Sequence, residues 1–130
     1  MKKLEHVFSP FQIGPVMVKN RIEYPPTCHC LATADGLVTR EMVAFYRSLA
    51  KGGAGIVTIG ESPVDFDYAK GHEYQINLGD DRVISGLSML AEAVQCYGAK
   101  ISVEIVHNGN QRLNNKPAIS ASPIITKREE

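Results

Sequence analysis

The chain has 130 residues, 44% of them hydrophobic and 22% charged, with 14 basic side chains against 14 acidic. A formal charge of zero removes the surplus of Lys and Arg that phosphate contacts need, so no nucleic-acid partner is expected. The apolar fraction argues against a disordered chain. No apolar run approaches the roughly 18 residues of a membrane span. Met1-Lys2-Lys3-Leu4-Glu5-His6 is basic but has no apolar stretch behind it, so it does not read as an export signal. Three cysteines without such a signal point to reduced thiols and a cytoplasmic protein. The length suits one domain of about 100–150 residues. It falls well short of the about 250 residues that a whole (β/α)₈ barrel takes.

In chain order, Phe11 to Val18 has apolar residues on both sides of Gly14-Pro15 and predicts a short hairpin. Arg21-Ile22-Glu23-Tyr24 is strand-like and stopped by Pro25-Pro26, because proline has no N–H for a ladder. Residues 27–38 are rich in turn formers and predict a loop. Thr39 is placed to cap a helix in which Val43, Tyr46, Leu49 and Ala50 recur at spacings of three and four, ended by Gly52-Gly53. Ala54 to Gly60 is a nearly continuous apolar run, as expected of a strand covered on both faces. A loop is expected from Ser62 to Asp80. Asp80 or Asp81 can cap a second helix, with Ile84, Leu87, Leu90, Ala91, Val94 and Tyr97 on one face and Gly98 at its end. Lys100 to Val106 is a third strand, with Ile101, Val103 and Ile105 alternating against Ser102 and Glu104. Strand-helix alternation with short turns predicts a parallel α/β sheet.

In such sheets ligands meet the carboxyl ends of the strands. Three ends are visible: Pro25-Pro26-Thr27-Cys28, Gly60-Glu61-Ser62, and Glu104 to Gly109. Pro26 offers a rigid wall, Thr27 a hydroxyl, and Gly60 a place where backbone approaches closely. Glu104 is an acid within an apolar strand, and His107 carries two distinct ring nitrogens. Each has a plainer role open to it: the prolines as a strand stop, Gly60 as a bend, Glu104 as a solvent-facing edge residue, His107 as a hydrogen-bonded structural group. Cys28-His29-Cys30 is spaced more tightly than the usual zinc pair and has no second ligand pair at a familiar distance, so no metal is expected. Cys28 alone is a thiol at a strand end, either reactive or a small buried filler. The glycines of Gly52-Gly53-Ala54-Gly55 precede a strand and not a helix, which weakens a Rossmann reading.

Taken in order, Phe8-Ser9-Pro10-Phe11-Gln12-Ile13-Gly14, Val18-Lys19-Asn20-Arg21-Ile22, Pro26, Ala34-Asp35-Gly36-Leu37-Val38-Thr39, Lys51-Gly52-Gly53-Ala54-Gly55 and Gly98-Ala99-Lys100 followed by His107-Asn108-Gly109 resemble the opening of the Old Yellow Enzyme family. The likeness spans about Phe8 to Pro123 and is nearest the enoate reductase and 2,4-dienoyl-CoA reductase branch. It implies the first three βα units of a partial (β/α)₈ (TIM) barrel with an N-terminal hairpin, so that residues 1–130 form the N-terminal portion of a flavin-binding barrel. It also implies FMN as cofactor, NAD(P)H as electron donor, and a small unsaturated carbonyl or acyl substrate. An iron–sulfur cluster and FAD are implied only for a longer chain. The family's flavin contacts map onto Pro25, Pro26, Thr27, Cys28, Gly60, Glu61 and Glu104, with Cys28 tuning the redox behaviour and His107 near substrate. Two positions depart from the family pattern. Glu104 stands where a glutamine is usual, and a carboxylate accepts hydrogen bonds without donating any. Asn110 stands where an arginine often follows, although Arg112 is close by.

The family's catalytic residues come after the next strand, so no complete catalytic set is expected here, and Pro123 to Glu130 resembles the approach to a fourth unit. The expectation is the N-terminal part of an FMN-dependent oxidoreductase that reduces activated C=C bonds. The alternative is a non-catalytic remnant acting as a self-associating structural module. Either way, exposed sheet edges predict a homo-oligomer.

Overall fold

A computed structural model describes residues 4–113 and 116–122. A four-residue helical turn, α1 (Glu5–Phe8), which the sequence did not signal, leads into the hairpin β1 (Phe11–Ile13) and β2 (Val16–Val18). The pair is antiparallel with Ile13 opposite Val16, so Gly14 and Pro15 form the loop, and Gly14 takes the φ of +54° that a tight turn needs. Next come β3 (Glu23–Tyr24), α2 (Arg40–Lys51), β4 (Ile56–Pro63), a 3-10 turn (Asp81–Val83), α3 (Ile84–Gln95) and β5 (Lys100–Val106). β3, β4 and β5 make a parallel sheet in that spatial order. The strand-helix order read from the sequence is the observed one.

Helix α2 starts where the sequence places it, with the Thr39 hydroxyl accepting from the Met42 N–H. The buried positions of α2 are Met42, Tyr46 and Ala50. Met42 was not on the predicted face, and Val43 and Leu49 pack only partly buried. Asp80, one of the two expected caps, accepts from the Arg82 N–H, but what it caps is the 3-10 turn, and α3 begins only at Ile84. Its buried residues are Gly86, Leu90 and Val94. Ile84, predicted on the apolar face, is 61% exposed because it opens the helix beyond the sheet's cover. Gly98 ends the segment with φ +70°.

Both helices pack on one face of the sheet and against each other, around Val57, Ile59, Tyr46, Leu90, Val94 and Ala99. The opposite face is polar at mid-sheet. The Thr58 hydroxyl donates to a Glu23 carboxylate oxygen at 2.8 Å and so accepts from the Ser102 hydroxyl at 2.7 Å. Strand β4 is covered on both faces as expected, but it runs on to Pro63 instead of ending at Gly60. A register irregularity between Ile59 and Ser62 lets the ladder resume, with Ser62 beside Ile105 and Pro63 beside Val106. The outer strand β5 forms as predicted, but its burial does not follow the sequence alternation: Val103 and Ile105 are 36% and 66% exposed while Glu104 is half-buried. Nothing among the described residues pairs with its far edge.

The hairpin is tied to the amino end of the sheet. The Asn20 side-chain amide donates to the Gly53 carbonyl at 2.8 Å, and its oxygen accepts from the Ile22 N–H at 3.1 Å. A β-carbon on Gly55 would stand 2.5 Å from that Asn20 oxygen, so the Gly52-Gly53-Ala54-Gly55 run serves strand entry. Lys19 donates to the Tyr97 carbonyl at 2.8 Å, joining the hairpin to the end of α3. The expected fourth-unit approach, Pro123 to Glu130, lies outside the described residues.

Leu90 is fully buried between sheet and helix. Truncation in Leu90→Ala is expected to cost about 2–5 kcal/mol, against about 1 kcal/mol for loss of the cap in Thr39→Ala. Urea unfolding followed by helix signal checks both magnitudes and their order.

Candidate functional site

The carboxyl ends of the three parallel strands meet at one rim. The loop leaving β3 crosses directly over β4: a β-carbon on Gly60 would lie 2.3 Å from the Thr27 backbone nitrogen, closer than any side chain permits. Gly60 is therefore a packing requirement that brings Thr27 and Cys28 over the end of the sheet. Pro25, Pro26 and Thr27 are exposed, and the Thr27 hydroxyl turns back to donate to the Pro25 carbonyl at 3.3 Å.

Just beyond Gly60 the chain leaves regular strand geometry. Glu61 has φ +37°, a left-handed conformation in a residue other than glycine, and backbone strain of this kind collects at functional sites. The Glu61 N–H that the ladder loses is met by the Glu104 carboxylate at 2.9 Å. Glu104 therefore points to the rim and is half-buried, not a solvent-facing edge residue. The Glu61 carboxylate accepts from the Gln75 side-chain amide at 2.9 Å and lies 3.4 Å from His72 Nε2. Gln75 is buried, and its oxygen accepts from the Gly71 and His72 N–H groups at 2.9 Å each. One buried glutamine thus folds the long loop after β4 back onto Glu61.

Of the residues singled out from the sequence, Thr27, Cys28, Gly60, Glu61 and Glu104 converge. Pro25 and Pro26 flank them. His107 stands apart: it is exposed, and its Nδ1 accepts from the Gly109 N–H at 3.0 Å, which orders its own turn. The neighbouring Asn108 holds the rim by donating from backbone and side chain to the Ala69 carbonyl, at 3.1 and 2.9 Å. Gln75 and His72 carried no sequence signal, because polar residues in a long loop have no diagnostic spacing, whereas Asn108 stood within the His107-Asn108-Gly109 motif without an assigned role. Ser62, next along β4, is fully buried and its hydroxyl has no hydrogen-bond partner among the described residues.

Cys28 is half-buried, with its Sγ 3.6 Å from Cys30 Sγ. Burial first, and the neighbouring Cys30 thiol second, push Cys28 from 9.0 up to about 12. It is therefore a protonated thiol at neutral pH. Burial also raises Tyr46 from 10.0 to about 12, opposed by a backbone hydrogen bond from Gly60.

These features can be set beside known proteins. The model of the NADH:flavin oxidoreductase / NADH oxidase family matches residues 6–129. The chain belongs to that family. It is 38% identical over 111 residues to an NADH oxidase of Thermoanaerobacter brockii, an alignment covering 85% of this chain and 17% of that protein. It is 41% identical over 125 residues to a metal reductase of Desulforamulus reducens, covering 93% of this chain and 18% of the relative. Among solved structures, a 2-naphthoyl-CoA reductase superposes with a TM-score of 0.80 at 31% identity, over 84% of this chain and 16% of that one. An Old Yellow Enzyme homologue from Zymomonas mobilis shares the fold, with a TM-score of 0.74. The chain spans less than a fifth of the length of the first three relatives.

Cys28 and Tyr46 give the family member an alkaline signature. A proton held more tightly in the folded state stabilises it fully below the unfolded value and is lost as pH rises through the folded value. Stability is thus expected to hold up to about pH 9 and to fall between 9.0 and about 12. Urea midpoints across that range check this, and Tyr46→Phe flattens the slope.

Proposed function

We propose that the chain is the N-terminal part of an FMN-dependent NAD(P)H oxidoreductase, the first three βα units of a barrel whose strand ends hold the flavin. The observation that carries this reading is the rim itself: Thr27, Cys28, Gly60, Glu61 and Glu104 brought together at the carboxyl ends of consecutive parallel strands, with α2 and α3 packed on one face of the sheet. In a doubly wound sheet the helices would divide between the two faces.

The donor set suits one edge of a flat heteroaromatic ring. One Glu104 oxygen is committed to the Glu61 N–H, and the other is free among the described residues to accept an imide N–H. Thr27 and Cys28 would lie along the ring face, and Pro26 would wall it from water. FMN held there would supply the redox chemistry between a nicotinamide and an activated C=C bond. The chain's own part is to orient the ring by Glu104 and to keep Cys28 protonated and uncharged beside it. Gln75 and His72 fix Glu61, so that the bulge presenting Glu104 does not relax. The 2-naphthoyl-CoA reductase among the similar structures favours a conjugated acyl thioester as substrate.

The second reading is a self-associating module without flavin, favoured by the uncovered Val103 and Ile105 on the outer strand. One experiment separates the two. The protein carrying this chain, purified from its source, is expected to show a flavin spectrum that NADH or NADPH bleaches and an enoate or enoyl thioester restores. A colourless assembly of chains of this size overturns the flavin reading in favour of the module.

A second expectation concerns charge. A carboxylate at the pyrimidine edge opposes negative charge developing there on reduction. Glu104→Gln is therefore expected to raise the flavin midpoint potential in the holoprotein. An unchanged or lowered potential in spectroelectrochemical titration removes Glu104 from the flavin edge.

A further inference from the structure

The second cysteine of the rim has no part in the reading above. Cys30 is exposed and adopts φ +53°, a left-handed backbone uncommon for a residue with a β-carbon. The residue between the two thiols explains that geometry. The His29 Nε2 lies 2.7 Å from the Tyr24 hydroxyl, its ring centroid is 4.3 Å from that of Phe45, and Tyr46 is a third aromatic neighbour. His29 is thus anchored in the aromatic layer between β3 and α2. With the middle residue pinned on that side and Cys30 turned left-handed, the flanking side chains meet at 3.6 Å between sulfurs.

We propose that Cys28 and Cys30 are a reversible dithiol–disulfide pair at the mouth of the site, closed by exchange with a low-molecular-weight disulfide such as oxidised glutathione. The order of events follows from exposure. Cys30, the accessible thiol, attacks the reagent; its S–H proton goes to solvent, a mixed disulfide forms on Cys30, and one reduced glutathione leaves. Cys28 then loses its proton and attacks the Cys30 sulfur, expelling the second glutathione and leaving a Cys28–Cys30 bond. Two thiols are oxidised and one glutathione disulfide is reduced to two thiols, so electrons balance. A ring closed across a single intervening residue is small, and strained, exposed disulfides of this sort are readily reduced again. The high proton affinity of Cys28, due first to burial, makes the second step the slow one. A metal role is less favoured: no group of three His, Cys, Asp or Glu side chains converges among the described residues, and His29 Nε2 is engaged with Tyr24.

Cys96 supplies an internal control. It is exposed on the far end of α3, where its thiol donates to the Ala93 carbonyl with no second sulfur in reach. The reduced chain is treated with oxidised glutathione, quenched in acid, alkylated with iodoacetamide, digested and weighed. The peptide bearing Cys28 and Cys30 is expected to lose two hydrogens and to carry neither alkyl group nor glutathione, whereas Cys96 retains glutathione as a stable mixed disulfide. Dithiothreitol returns both peptides to the alkylatable form. Cys28→Ser leaves glutathione trapped on Cys30, and closure is lost. Persistent glutathione on Cys30 of the unsubstituted chain, with Cys28 still alkylated, overturns the proposal. The readout is independent of flavin, so failure of the oxidoreductase reading leaves this result intact.

Discussion

The approach of the Thr27 backbone to Gly60 is the contact on which the rest of the rim depends. A loop that crosses within 2.3 Å of where a β-carbon would stand can do so over only one residue type. Because it does, the segment after β3 lies over the end of β4 instead of splaying into solvent. The same crossing gives Tyr46 its hydrogen bond from the Gly60 backbone and places Cys28 within electrostatic reach of Glu61. Strand, helix and loop are locked together at one glycine.

Beyond that crossing the rim is organised around backbone groups that a regular ladder would have satisfied. Glu61 turns left-handed and its N–H loses a strand partner; Glu104 replaces that partner from the neighbouring strand. Gln75 performs the matching service for the loop, satisfying two N–H groups while gripping the Glu61 side chain. Buried polar groups are costly unless they are paired. The pairing here runs continuously from β5 through β4 into the loop, so a change at any member is felt by the others.

Much of the scaffold was legible because it rests on local signals. The cap at Thr39 and the glycine stop at Gly98 each act within a few residues. What the sequence concealed depends on distant neighbours. Strand β4 continues to Pro63 because the bulge at Gly60 and Glu61 restores pairing with β5, and a bulge leaves no periodic trace. Ile84 looked buried by spacing but lies outside the sheet's cover. The site was partly legible: Glu104 was recognised as an acid in an apolar strand, while its partner, a backbone N–H of a strained residue, could only be seen in three dimensions. His107 was placed at a strand end correctly, but its ring serves its own turn. For Cys28 the sequence left open a reactive thiol or a small filler, and the half-buried position with a raised proton affinity depends on neighbours no local pattern shows.

The two ends of the sheet divide the work of the chain. At the amino end, Asn20 stitches the hairpin to Gly53 and to the Ile22 backbone, with Gly55 pressed against it, so both polar atoms of its side chain are spent on that joint. At the carboxyl end the available groups are thiols, carboxylates and a strained peptide. Evolution can therefore edit the two ends under separate constraints. A change at the Asn20 latch would loosen the joint between hairpin and sheet, whereas a change at the opposite rim would alter only the groups presented there. A lineage changing its chemistry has room to do so within a few loop positions, without renegotiating the joint that keeps the first strands together.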